Sequence, residues 1–123
     1  MTEQPGVVRL AEKFAAVEEP WSPRIVAALN DMHVKVARIE GEFVWHAHPD
    51  TDELFYVQSG AFVMRYRDRD VALRAGDLHV VPRGVEHCPK AEGPCEILMI
   101  ERAGTRNTGD AGGARTVADP AWI

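Results

Sequence analysis

The chain has 123 residues, 46% of them hydrophobic and 27% charged, with a formal net charge of −5. That suits one domain with a true core. It excludes the basic stripe of a nucleic-acid binder and the roughly 18-residue apolar run of a membrane span. The opening Met1-Thr2-Glu3-Gln4-Pro5 has neither the basic nor the apolar region of a secretory signal, so the cytoplasm is the expected compartment. Two cysteines, Cys88 and Cys95, make no disulfide framework and read as free thiols.

In chain order, residues 7–19 fit either a short strand or a helical turn or two. Glu18 to Pro23 is a break with two prolines. Arg24 to Leu29 is a brief apolar segment, and Asn30-Asp31 reads as a turn. His33 to Ile39 is strand-like, but the alternation slips at Ala37-Arg38, which predicts a bulge or an edge position. Gly41-Glu42 is expected to turn the chain. Phe43 to His48 is the next predicted strand, with Phe43 and Trp45 on one face and Val44, His46 and His48 on the other.

Glu53 to Gln58 and Ala61 to Tyr66 are predicted strands around a tight Ser59-Gly60 turn. A two-residue turn pairs Gln58 with Ala61, Val57 with Phe62, Phe55 with Met64 and Glu53 with Tyr66. One face then carries Glu53, Phe55, Val57, Phe62, Met64 and Tyr66. Arg67 to Asp70 is a charged turn, Val71 to Leu73 a short strand, and Ala75 to Asp77 a turn. Leu78 to Val81 is a strand stopped by Pro82, and Arg83-Gly84 turns again. After Lys90 to Pro94 comes Cys95 to Glu101, apolar on both faces and therefore central. From Ala103 the glycine-rich tail has no periodicity and is read as a covering loop or a partly disordered end. Short strands with turn signals between them indicate an all-β barrel or sandwich.

The chemistry concentrates in a few residues. His46 and His48 share one face of an extended segment, and Glu53 follows a short polar loop. His87, beyond Gly76, Pro82 and Gly84, is the best candidate to close onto them. Three neutral imidazoles and one carboxylate suit a divalent first-row metal such as iron, manganese, nickel, cobalt or zinc, and leave positions open. Phe55, Met64 and Tyr66 are core residues that can also line a ligand pocket. His33 and His79 match no ligand position, and Trp21, Trp45 and Trp122 read as packing anchors. Asp50 and Asp52 are loop polar groups, with orientation of an imidazole as the second option.

The segment Gly41 to Gly60 resembles the first motif of the cupin superfamily. His46, His48 and Glu53 fall on its metal-ligand positions, with four residues between His48 and Glu53. Gly76, five residues, Pro82-Arg83-Gly84, two residues and His87 resemble the second motif. Gly41 is one residue closer to His46 than usual, and Ala91 replaces a frequent final asparagine. Trp21-Ser22-Pro23 and Asn107 to Asp110 are similar to segments of small single-domain bacterial cupins. The resemblance implies a jelly-roll β-barrel with metal in its mouth, and a short N-terminal helical segment is compatible with it. It divides the chain into an N-terminal segment (1–32) that packs on the barrel or exchanges with a partner, the barrel (33–102), and the tail (103–123). By analogy a homodimer is expected.

For function the resemblance implies a metal-binding cupin acting on or binding a small oxygenated molecule, in a dioxygenase-like or isomerase-like reaction. The alternative is a non-catalytic binding or sensing module. A sugar phosphate is disfavoured, because only Arg65 and Arg83 lie near and Arg65 falls on the wrong face.

Overall fold

The longest strand organises the molecule. The computed structural model describes residues 6–123. A short helix, α1 (Leu10–Ala15), precedes seven strands: β1 (Arg24–Leu29), β2 (Met32–Glu42), β3 (Glu53–Ser59), β4 (Ala61–Arg65), β5 (Asp70–Arg74), β6 (Leu78–Val81) and β7 (Cys88–Arg102). The strand ladders are antiparallel. One path runs β1-β2-β7-β3-β6, and β4 and β5 continue from the other end of β7. β7 pairs with β2 along most of its length. On its other edge it meets β4 at Cys88 to Lys90 and β3 at Glu96 to Ile100. It therefore belongs to both halves of an antiparallel jelly-roll barrel, as expected for the cupin fold.

The region Lys90 to Pro94, expected to separate elements, lies inside β7. Glu92 to Pro94 fall where the β2 register shifts and where the other edge changes from β4 to β3. A proline, with no N–H to donate, is tolerated at such a gap.

The expected Ser59-Gly60 hairpin does not form. β3 lies between β7 and β6, and β4 between β7 and β5. None of the four ladder pairs counted across the turn exists. Gly60 has φ 81°, and a Cβ there would lie 2.6 Å from the Pro94 carbonyl oxygen. The chain uses this close passage over β7 to change sheets. The inward face is nevertheless as expected: Glu53, Phe55, Val57, Phe62, Met64 and Tyr66 are all buried. Side-chain parity along each strand survives the change of partner. The Phe55 and Phe62 rings meet 6.0 Å apart across the interior.

β2 corrects two further expectations. It is not an edge strand, and its irregularity against β7 falls between Ile39 and Gly41 rather than at Ala37-Arg38. Gly41-Glu42 continues the strand, paired with Ala91 and Lys90, instead of turning it. The alternation slips because both faces are covered. Ala37 and Ile39 join the barrel core, while Val36 packs with Phe14, Val17 and Val26. Within residues 7–19 the helix is limited to Leu10–Ala15, and its Leu10 and Phe14, with Val17 just past its end, pack on Val36 and Val26.

The tail lies against the barrel. Thr108 is fully buried, Asp110 is bonded to Ala47 in both directions, and Ile25 bonds Ala121 and Ile123. No helix among the described residues is long and apolar enough to cross a membrane. Cys88 and Cys95 are buried free thiols.

Candidate metal centre

His46 and His87 come together through their backbones. The His46 N–H donates to the His87 carbonyl at 3.0 Å, and the His87 N–H to the His46 carbonyl at 2.9 Å. This isolated bridge is the only ladder contact in the stretch 43–48, so the strand expected over Phe43 to His48 is reduced to one pair. His46 and His48 share the inward side and Trp45 the outward one, as expected, but without a ladder to hold a period of two Phe43 leaves its expected face. Phe43 turns inward, edge-on to His46 at 5.5 Å, and Trp45 faces out under the Arg67 guanidinium at 3.8 Å. His48 is fixed by the Gly84 N–H, which donates to its carbonyl at 2.9 Å. Glu53 is the first residue of β3, and His87 stands one residue before β7.

The ligating atoms of His46, His48, Glu53 and His87 all lie within 4.8 Å of one another, and all four residues are buried. Glu53 Oε1 is 3.3 Å from His48 Nε2 and 3.5 Å from His87 Nε2. Nδ1 of His46 and Nδ1 of His87 each donate to a carbonyl two residues back, Val44 and Val85, at 2.9 Å. A carbonyl only accepts, so the proton sits on Nδ1 and the Nε2 lone pair points into the cluster. Burial, with His87 beside it, lowers the His46 pKa to about 4, so the ring is neutral at pH 7.

His48 Nε2, His87 Nε2 and Glu53 Oε1 are buried without a hydrogen-bond partner. Buried polar atoms are nearly always satisfied. Three unpartnered buried atoms in a cluster within 4.8 Å, with the His46 and His87 rings tethered from behind, are what a cation-holding site requires. The donor set fits a divalent metal ion.

Behind Glu53 is a second charged layer that sequence reasoning missed. Leu54 pairs with Ile100, which puts Glu53 beside Glu101, and the Lys35 Nζ reaches the Glu101 Oε2 at 3.2 Å. Lys35 and Glu101 are 2% and 1% exposed. Burial and the neighbouring Glu53 charge push the Glu101 carboxyl well above its usual range, and Lys35 only partly offsets this. Burial also works against the Glu53 charge. The neighbouring His48 and His87 rings, with Glu101 beside them, outweigh it and hold Glu53 well below the carboxylate range. The two carboxyls are thus driven in opposite directions, Glu101 up and Glu53 down.

An apolar cavity of about 30 Å³ opens beside the cluster, lined by Trp21, Ile39, Phe43, Phe55 and Met99 together with His46 and Glu53. Of the three expected lining residues only Phe55 borders it. Met64 is sealed in the core, and the Tyr66 hydroxyl bonds His79 Nε2 at 2.6 Å, away from the cavity. No lysine or arginine lines it. Arg65 pairs with Glu42 on the surface, and Asp52 accepts from Arg83 rather than from an imidazole. His33 packs edge-on to Trp122.

Trp21, read from sequence as a packing anchor, is held at the cavity mouth. Its φ of 61° is a strained conformation for a bulky residue, costing on the order of 1–3 kcal/mol. Its ring stacks on Phe43 at 4.5 Å, and Nε1 donates to the Glu40 carbonyl at 3.0 Å. Gly109, φ 53°, presses on the opposite side of the site. A side chain there would run into the Ala47 carbonyl and His48 Nδ1.

The family model for the cupin domain matches residues 32–101. The uncharacterized protein YdbB of Bacillus subtilis (strain 168) is 38% identical over 72 residues, 58% of this chain; the chain spans 64% of that relative's length. A crystal structure of a cupin-2 domain containing protein from Shewanella frigidimarina is 45% identical, with TM-score 0.77, over 78% of this chain and 94% of that one. A protein from Neisseria meningitidis is 26% identical, with TM-score 0.74, over 80% of this chain and 100% of that one.

Proposed function

This chain belongs to the family of cupin domains, and from that premise and its donor set we propose that it binds a divalent metal and acts on a small oxygenated molecule. The observation that carries this reading is the three orphaned donor atoms at 48, 53 and 87, buried beside an apolar cavity. His46, His48, Glu53 and His87 would hold the ion. Iron, manganese, nickel, cobalt or zinc would supply Lewis acidity there, and the redox-active members electron transfer as well.

The chain's own residues do the rest. The Val44 and Val85 carbonyls keep the His46 and His87 protons on Nδ1. Glu101 helps keep Glu53 charged. Phe43, Phe55 and Met99 keep water from the cavity side. An α-hydroxy-ketone or enediol fits such a wall, in a dioxygenase-like or isomerase-like reaction. A phosphate does not, for want of a cation in the lining.

One observation favours a second reading, a binding or sensing module without turnover. Apart from the ligands, the cavity's one polar side chain is Asn107, and both ends of its amide are committed, to the Arg115 carbonyl and the Val117 N–H. The experiment is metal analysis of protein purified without added metal, then oxygen uptake by the iron-loaded form over small diols and hydroxy-ketones. Iron with uptake supports the enzyme. Tightly held zinc without turnover supports the sensor. Occupancy unchanged in His48→Ala would remove the site altogether.

A homodimer belongs to the same reading. Leu54, Tyr56, Leu78, Val80, Leu98 and Ile100 share the outer face of β7, β3 and β6, half-buried or exposed. A second copy would cover them. Light scattering should give a dimer for the wild type and a monomer for Leu78→Glu; a monomeric wild type would end this part. The two buried thiols accord with a cytoplasmic setting.

A further inference from the structure

We propose that Trp21 sets the size limit of the ligand: with its indole in place the cavity admits only the oxygenated head of a molecule, two or three non-hydrogen atoms, and excludes a ring. This refines the proposed function and rests on it for the nature of the ligand, but not for the size of the space.

The volume decides the point. About 30 Å³ accommodates a water or two. A carboxylate, or one carbon–oxygen end of a hydroxy-ketone or enediol, fits that space, whereas an aromatic ring needs several times more. Trp21 and Pro23 are the parts of the wall contributed by the segment before β1, and Trp21 is half-buried at the mouth while Phe55 behind it is fully enclosed. Its backbone N–H donates to the Arg38 carbonyl at 2.8 Å, its Nε1 to the Glu40 carbonyl, and its ring lies flat on Phe43. Phe43 in turn lies edge-on to His46. The indole is thus tied to a metal-ligand candidate through one intervening ring. Arg115 of the tail closes the outer side, its guanidinium 5.5 Å from the Trp21 ring and bonded to the Glu42 carbonyl.

The left-handed backbone at Trp21 adds a second argument. Residue 21 stands between Pro20 and Pro23, where a glycine or an asparagine would take φ 61° with less strain. A large ring kept in an unfavourable conformation, and held by three separate contacts, is a positioned side chain rather than incidental filling.

The test compares the wild type with Trp21→Ala, and with Trp21→Phe in case the first is poorly folded, circular dichroism checking the fold. Saturation-transfer NMR with phenol is run on metal-free protein, so that it does not depend on metal uptake. No transfer is expected in the wild type, clear transfer in Trp21→Ala and weaker transfer in Trp21→Phe. Cobalt uptake, followed by absorbance, reports separately on the metal reading. On cobalt-loaded protein, azide should bind both forms within about threefold, while catechol should bind Trp21→Ala at least tenfold more tightly than the wild type. Equal phenol transfer in wild type and variants, or transfer in none of them, overturns the proposal. Failure of both proteins to take up cobalt would instead overturn the metal reading and leave the phenol comparison to decide on Trp21.

Discussion

The inward positions of β3 run from Glu53 through Phe55 to Val57, and the barrel interior changes character along them. At the Glu53 end three imidazoles, two carboxylates and Lys35 are buried together, and every buried side-chain atom without a hydrogen-bond partner among the described residues belongs to this group. At the Val57 end Phe62, Leu73, Cys95 and Ile97 fill the space with apolar groups. The second end stabilises the fold by burial. The first costs stability, since each unsatisfied buried group is worth roughly 1–3 kcal/mol against folding. One barrel thus pairs a sealed base with an end where the chain itself leaves buried polar atoms unsatisfied.

Three measurements test that division. Phe62→Ala, at the apolar end, should lower unfolding stability by about 3–5 kcal/mol in a urea titration while metal occupancy stays at the wild-type level. A large loss of metal with it would mean that the two ends are not separable. At the donor end, cobalt or zinc at ~1,000 times its Kd should add about 4 kcal/mol. His87→Ala should abolish that gain, and a gain that persists would show the ion to be held elsewhere.

The smallest effect concerns pH in the metal-free protein. His46 has its folded pKa lowered to about 4 from 6.5. As pH falls through 6.5 the unfolded chain takes up a proton that the folded one refuses, so stability drops between about pH 6.5 and 4. At about 1.4 kcal/mol per pH unit, the loss comes to about 3.5 kcal/mol. Glu53, held well below its usual range, extends the loss to lower pH. A His46→Gln variant should flatten the upper part of the profile, and an unchanged slope would place the titration on another group.

The four donors were legible because each motif is local: the spacing of His46, His48 and Glu53, and the turn before His87, are written in consecutive residues. The inward face of β3 and β4 was legible because parity holds whatever the partner. The hairpin between them was not, since Gly60 serves a sheet crossing as readily as a two-residue turn, and only the approach of Pro94 decides between them. Lys35 and Glu101 are 66 residues apart in sequence, and no local motif marks either. Only the β2-β7-β3 register brings them behind Glu53. Trp21 gave no sign of its φ, which is imposed by contacts with residues 38, 40 and 43.

Of the seven strands described, β7 with its 15 residues follows the other six in sequence, yet β2, β3 and β4 all hydrogen-bond to it. Until Cys88 to Arg102 leave the ribosome, those three earlier strands lack a shared neighbour, and their edges stay open to wrong pairing. Barrel closure is therefore a single late event in the life of the nascent chain. A stop codon anywhere within that stretch would release unpaired edges rather than a smaller barrel.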